Sequence, residues 1–456
     1  MEEYRDVALF FGHSYDRGTY LETNGCFCGP SFLGNLFQQL YNTVDSLIVG
    51  NFMGNNALAA VSSSGQLILL MVGFFNGIGI GSGIVIAKNF GARNMKDMRK
   101  AMHTAIGFAL VCGIFITVMA EIAAPLILKL IGVPDEVLPS SMAYFRVYFA
   151  GSLGFVLYNF SMGILQALGD SKHPLIYLII SSVTNVVLDF VLIAGLHFGV
   201  GAAAFATLVS QCLSAFLCIW QLAHNPEDLR LNLWEICLDK GMLKQIVSNG
   251  IPAGIQNSIV GFANVFVQSQ INSFGAGAMA GSGSYFKIEG FAFMPVTCFC
   301  QTLTTFISQN LGAEKYDRAK KGAVFGVSCS MFMAEIIGVC IFSLAPLLIE
   351  AFGGSGEAVQ IGVMQARTIS LFYCLLAFSH CMGAIQRGAG RSFVPMFVMM
   401  IVWCGIRILY ISIAIRLVPV INVVFWAYPI TWTISSVVFL IIYKKTDWIH
   451  GLKKSY

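Results

Sequence analysis

The sequence predicts an all-α polytopic membrane protein with twelve transmembrane helices in two pseudo-symmetric six-helix lobes. Three observations predict it: the composition, the placement of the positive charges and an internal repeat. Of the 456 residues, 57% are hydrophobic and 11% are charged, against about 25% charged in an ordinary soluble domain. Mean hydropathy is +0.75. Several apolar runs exceed the roughly 18 residues that cross about 30 Å of hydrocarbon as a helix. One of them extends from Ala105 to Leu128 and is interrupted only by Glu121. The net charge of +4 comes with no basic cluster interleaved with aromatics, so nucleic-acid binding has no support.

Residues 1–29 form an irregular, polar N-terminal segment carrying Glu2, Glu3, Arg5, Asp6, Arg17 and Glu22, which fits no signal-peptide pattern. Apolar runs between Gly, Pro and charge breaks then place spans near 31–51, 57–86, 102–123, 140–165, 174–195, 200–222, 248–271, 282–307, 323–348, 360–386, 394–416 and 422–443. The second, fourth, eighth and tenth are longer than the bilayer requires and should tilt or project into solvent. Loops after even-numbered spans, together with the two termini, hold 21 Lys and Arg residues; loops after odd-numbered spans hold only Lys129 and Arg416. The positive-inside rule therefore puts both termini and the even loops in the cytoplasm of a multi-pass cell-membrane protein, which needs an even number of spans.

Shifting the chain by 221 residues lays Asn89-Phe90-Gly91-Ala92 on Asn310-Leu311-Gly312-Ala313, and Gly54, Lys100 and Pro125 on Gly275, Lys321 and Pro346. With Pro30 on Pro252 the shift is 222, which puts Asn42 on Asn264 and Asp45 on Val267. Each half has six spans, so both halves enter from the same side and are related by an axis roughly normal to the membrane, with a binding site expected at their interface. The expected organisation is an amino-terminal lobe over 30–222, a cytoplasmic linker over 223–246, a carboxy-terminal lobe over 247–443 and a basic cytoplasmic tail over 444–456. In the linker, Asn225-Pro226-Glu227-Asp228 breaks the helix, and the amphipathic stretch Leu229 to Leu243 is expected to lie as a helix on the cytoplasmic surface.

An Asp at the centre of a span costs about 2.5 to 3.5 kcal/mol on insertion scales, so intramembrane charges mark candidate sites. Asp45 shares one helical face with Asn35, Gln38 and Asn42, at spacings of 3, 4 and 3. In the fifth span Asn185 and Asp189 lie four apart, and Thr207 in the sixth is the nearest hydroxyl. Two carboxylates beside amides could share a proton or ligate a sodium ion; the competing reading is hydrogen-bonded helix-packing glue, which for Asn42 or Thr207 alone is at least as good. Gly73, Gly77 and Gly81 are spaced for close helix approach. Thirteen cysteines include no CxxC and no Cys/His metal spacing; most lie inside apolar runs and read as reduced core thiols.

The segment Tyr41-Asn42-Thr43-Val44-Asp45-Ser46-Leu47-Ile48-Val49-Gly50, the Asn185-x-x-x-Asp189 pair, Pro30 and the paired Asn-x-Gly-Ala loops resemble the multidrug and toxic compound extrusion (MATE) family. The resemblance covers the chain from about Pro30 onward. It implies a V-shaped two-lobe fold that exports amphipathic, often cationic organic compounds in exchange for inward H⁺ or Na⁺. By motif, Asp45, Asn185, Asp189 and Thr207 match the family's amino-terminal-lobe cation site, and Pro30 matches the proline at which the first span bends. No cofactor is implied, and no metal beyond a possible Na⁺ at Asp45, Asn185 and Asp189. The partners are small amphipathic or cationic molecules and membrane lipids, and the chain is expected to act as a monomer.

This sequence departs from the sodium-coupled bacterial branch, which carries acids in the seventh and tenth spans: 255–270 and 370–386 contain none. No carboxy-terminal-lobe cation site is therefore expected, and that lobe should mainly complete the substrate cavity. Gln38, Asn42, Gln256, Asn264, Lys287, Glu289, Tyr373 and Arg407 are the cavity candidates. Lys287 and Glu289 form a basic-x-acid pattern common in the family, and either bind a cationic substrate or neutralise each other. Arg407 more often satisfies helix carbonyls than binds substrate. The runner-up within transport is a flippase for lipid-linked precursors in the related superfamily, whose cavity wants more fixed cations than Lys287, Arg367 and Arg407. A membrane-embedded enzyme is disfavoured: the sequence has no HExxH, GxSxG or GxxxxGK[ST].

Overall fold

The computed structural model describes residues 29, 32–39, 48, 68, 70–130, 137–352 and 356–450. Of the first predicted span only 32–39 and Ile48 are described, both helical; Pro30, Asn42 and Asp45 lie outside the described residues. The remaining spans correspond, in order, to α1 (Leu70–Gly91), α2 (Met95–Leu130), the pair α3 (Leu138–Ala150) and α4 (Ser152–Ala167), α5 (Lys172–Asp189), α6 (Gly201–Ala223) and α7 (Lys240–Asn272). They continue with α8 (Ala276–Gly312), α9 (Tyr316–Ala351), α10 (Glu357–Ile369) leading into α11 (Tyr373–Gly388), α12 (Phe393–Met399) leading into α13 (Arg407–Leu417), and α14 (Ile421–Lys445). Among the described residues nine helices are long and apolar enough to cross a membrane, and the pair α3–α4, bent by 43°, makes a tenth. The 33-residue α7 is long enough as well, but carries Gln256, Asn257, Ser258, Asn264, Gln268 and Gln270 in its apolar stretch.

The helices sort their side chains as a bilayer demands. On α2, Ala101, Met102, Ala105, Ile106 and Ala109 are buried, whereas Val111, Ile114, Phe115, Val118 and Ile122 are exposed. Small residues face the protein and large apolar ones face the lipid, because lipid tails are as good a solvent for leucine as a protein core is. The same sorting corrects the reading of the cysteines as core thiols. Cys218 is buried, but Cys212 and Cys340 are exposed.

The chain divides into two compact units at Ile251–Pro252, inside α7. Proline at that position leaves one carbonyl of the helix without its donor. In the first unit, Gly81 on α1 meets Gly250 so closely that a Cβ on either would strike the other helix's backbone. Gly79 and Gly83 likewise face α4, their Cβ positions lying 3.1 Å from the carbonyl oxygens of Asn159 and Gly163. Gly81, one of the glycines spaced by four in the sequence, thus makes a close approach, while the α1–α4 contact uses Gly79 and Gly83 from outside that series. At the α3–α4 bend, Gly151 lies against Leu208 of α6, 3.1 Å from where its Cβ would stand.

The linker differs from expectation. Residues 229–239 form no amphipathic helix; two short 3-10 turns, Glu227–Leu229 and Leu233–Glu235, precede α7. Leu229 and Leu231 are buried in the core of the first unit, because an extended strap puts alternate side chains on one face. The His103 ring on α2 pins the strap: Nδ1 donates to the Arg99 carbonyl at 2.7 Å and Nε2 accepts the Asn232 amide at 3.1 Å. Below it, Thr104 Oγ1 accepts the Asp239 amide at 3.2 Å. Replacing Leu231 with Ala should remove about 2 to 5 kcal/mol from this docking. Trypsin should then cut after the exposed Arg230 faster than in the parent protein, at equal thermal stability of the rest. Unchanged cleavage would show that Leu231 does not hold the strap.

Candidate cation-binding site

The first unit presents its candidate site from α5. Its buried face is Pro174, Tyr177, Ser181, Ser182, Asn185 and Asp189, at helical spacing, while Ile176, Ile180, Val183 and Val187 are exposed on the other side. A polar stripe turned inward and an apolar one turned outward is the pattern of a membrane helix that carries a site. Asn185 is 1% exposed and Asp189 fully buried. Both polar atoms of the Asn185 amide are enclosed with no hydrogen-bond partner among the described residues. Buried amides without partners are rare and costly, since the desolvation of each atom is not offset. Directly after Asp189 the helix widens into a π-helical turn, Phe190–Gly195, a feature that concentrates at functional positions. Thr207 lies on α6, which packs along α5, and its hydroxyl donates to the Ala203 carbonyl at 3.1 Å. Gln38 is exposed on the 32–39 helical run.

The second unit places its candidates differently. Gln256 is buried, and its Oε1 accepts from Arg387 Nη1 at 3.1 Å, so it holds an arginine rather than lining an open cavity. Asn264 is exposed, with Oδ1 accepting from Arg407 Nη1 at 3.3 Å. Arg407 is fully buried; Nε and Nη2 donate to Thr431 Oγ1 at 3.3 and 3.0 Å. Its guanidinium carbon lies 4.6 Å from the Tyr428 ring centre and 5.1 Å from that of Trp403. Each guanidinium nitrogen donates to a side chain, and among the described residues none donates to a helix carbonyl.

On α8, Glu289 accepts from Tyr285 Oη at 3.4 Å, and Tyr285 Oη pairs with Tyr373 Oη at 3.0 Å. Glu289 and Tyr373 border a narrow crevice with Phe293, Val296, Ala334 and Leu376. Lys287 is exposed and forms no ion pair with Glu289, because residues two apart on a helix point to nearly opposite sides. The alternative in which they neutralise each other is therefore corrected: the hydrogen-bond partner of Glu289 is Tyr285.

The MatE family profile matches the chain twice, over residues 30–191 and 252–413. This chain belongs to the MATE family. The two matches cover more than half of it and are offset by 222 residues, the shift that lays Pro30 on Pro252. Over 389 residues, 84% of each chain, it is 27% identical to the probable multidrug resistance protein YoeA of Bacillus subtilis (strain 168). It is 25% identical over 383 residues to the probable multidrug resistance protein YpnP of the same organism, covering 83% of this chain and 84% of the relative. Among solved structures, that of a MATE protein in complex with MaL6 superposes with a TM-score of 0.90 at 22% identity, covering 98% of this chain and 99% of the other. The chain is thus a multi-pass membrane protein of the MATE fold, from a family of transporters and not of enzymes.

For a MATE chain, the features that sequence reasoning missed are pairings between spans. Thr431 is unremarkable in sequence and becomes the partner of Arg407 only once α13 and α14 are packed, and Tyr285 meets Tyr373 only once α8 and α11 are. A second π-helical turn, Met400–Ile406, ends at Arg407, so the π turns of the fifth and eleventh spans each adjoin a buried ionisable residue. One signal was available beforehand: a charge in the middle of an apolar span needs a partner, and Asn264 is the amide that the repeat sets opposite Asn42.

Proposed function

We propose that this protein is a secondary antiporter that exports amphipathic or cationic organic compounds from the cell in exchange for inward H⁺ or Na⁺, with the coupling ion held in the amino-terminal lobe. The observation that carries the reading is a fully buried Asp189 one helical turn from the enclosed amide of Asn185, which has no hydrogen-bond partner among the described residues, on the inward face of α5. A carboxylate beside an amide oxygen offers a proton an acceptor, or a sodium ion two hard ligands. Asp45 and Thr207 complete the proposed set, with Pro30 as the bend of the first span. The names of the B. subtilis relatives, probable multidrug resistance proteins, support the substrate class. The flippase reading weakens because one of its three cations, Arg407, is buried and bonded to Thr431 and Asn264.

Purified protein in vesicles, loaded with a fluorescent cationic dye and given an imposed pH or sodium gradient, tests this directly. Gradient-driven dye movement that collapses with an ionophore is expected. Dye movement that ignores both gradients would overturn it. Single-site labelling tests the proposed orientation, with both termini cytoplasmic: in a background without reactive native thiols, Asn55→Cys and Ser355→Cys should label from outside intact cells and Asn94→Cys should not. Labelling of the last alone would invert the topology.

A further inference from the structure

The shift is 221 over the middle of the repeat, but the two family-profile matches end at 191 and 413, so at the close of the fifth and eleventh spans it is again the 222 that lays Pro30 on Pro252, which lays Asn185 on Arg407 and Asp189 on Ile411. The carboxy-terminal counterparts of the two proposed coupling acids, Asp45 and Asp189, are therefore Val267 and Ile411, both fully buried. The counterparts of the two amides, Asn42 and Asn185, are Asn264 and Arg407, which bond to each other at 3.3 Å. Around the guanidinium stand the oxygens of Asn264 and Thr431 and the faces of Tyr428 and Trp403. Side-chain oxygens and aromatic faces are what hold a desolvated cation.

We propose that Arg407 is a tethered cation. It occupies, in the carboxy-terminal lobe, the place at which the amino-terminal lobe binds its coupling ion, so this lobe has a permanently filled cation site and takes up no coupling ion of its own. The proposal rests on the reading that Asn185 and Asp189 hold that ion. A guanidinium keeps its proton under all conditions in which the protein is folded, and its covalent tether keeps it from leaving. The site therefore cannot load and unload during a cycle, and a group whose occupancy does not change cannot bias a conformational equilibrium. The partners around it are instead fixed: without the guanidinium, Asn264 Oδ1 loses its donor and Thr431 Oγ1 loses two.

The test compares Arg407→Lys, Arg407→Met and Arg407→Ala in thermal unfolding and in gradient-driven dye efflux. Lys keeps a charge and should stay folded and active. Met keeps the length but not the charge and should lower the melting temperature and abolish efflux. For Arg407→Ala, millimolar guanidinium chloride should restore both stability and efflux, whereas urea, its neutral analogue of the same shape, should restore neither. If the Ala protein folds only in guanidinium, or not at all, the Lys and Met proteins still decide. Met as stable and active as the parent, Lys no better than Met, or rescue by urea as good as by guanidinium would each overturn the proposal. Asp189→Asn is measured in parallel. If it keeps coupled efflux, the amino-terminal reading fails and with it the comparison of the lobes, while the guanidinium result still reports whether residue 407 must be a cation. If only the Arg407 series fails, only this inference falls.

Discussion

Asp189→Asn protein is expected to fold, insert and bind dye, yet to move it no faster under an imposed gradient than empty vesicles do. The substitution preserves the shape of a fully buried side chain and removes its charge. A coupling ion can drive a transporter only through groups that bind it with different affinity in two conformations, and asparagine at this position takes no proton and brings no negative charge to hold a sodium ion. Asp45→Asn should behave alike, since a shared ion needs both carboxylates. Asn185→Ala should be milder: the acid remains, and the dependence on pH or sodium should shift by a similar factor for every dye, because the change acts on the ion and not on the cargo. Efflux across a pH and sodium series, in vesicles with matched protein content, is the measurement. Full gradient-driven efflux by well-folded Asp189→Asn protein would remove this residue from the coupling site.

The second large effect is on stability. Gly81→Ala should destabilise the first unit by about 1 to 3 kcal/mol, the usual cost of forcing a methyl group into packed structure, because the added carbon would meet the backbone of Gly250, which has no side chain to move aside. Gly250→Ala should cost a similar amount, its Cβ meeting the Ile78 backbone at 2.9 Å. The two together should cost less than the sum, since the first change already separates the helices. Gly199→Ala is the internal comparison, with nothing within 4 Å of its Cβ position, and should leave the melting temperature in detergent unchanged. Equal melting temperatures for Gly81→Ala and Gly199→Ala would mean that α1 and α7 are not held at that contact.

Membrane insertion imposes rules that are local in sequence, and for that reason the spans were legible. An apolar run long enough to cross the bilayer must be a helix, since no water is present to satisfy a bare backbone. The repeat was legible as well, because both halves keep glycines, prolines and loop residues at matching positions, and the two family-profile matches are offset within one residue of that shift. The linker was misread because its leucines are buried by contact with α2 and not by a periodic face of their own. Local amphipathicity cannot tell a surface helix from an extended strap whose alternate side chains enter a core.

The sequence by itself determined the architecture and the inward face of the proposed coupling helix. Asp189 and Asn185 share a helical stripe at a spacing of four, and charge in an apolar span must turn away from lipid. Only the tertiary structure decided which polar groups satisfy one another. Gln256 and Asn264 look like cavity-lining amides until Arg387 and Arg407 reach them. Lys287 and Glu289 look like a pair until the helix points them apart. Hydrogen bonds between spans act over about 3 Å, between residues separated by 24 to 143 positions in the Arg407 cluster, and neither periodicity nor composition carries information about such a meeting.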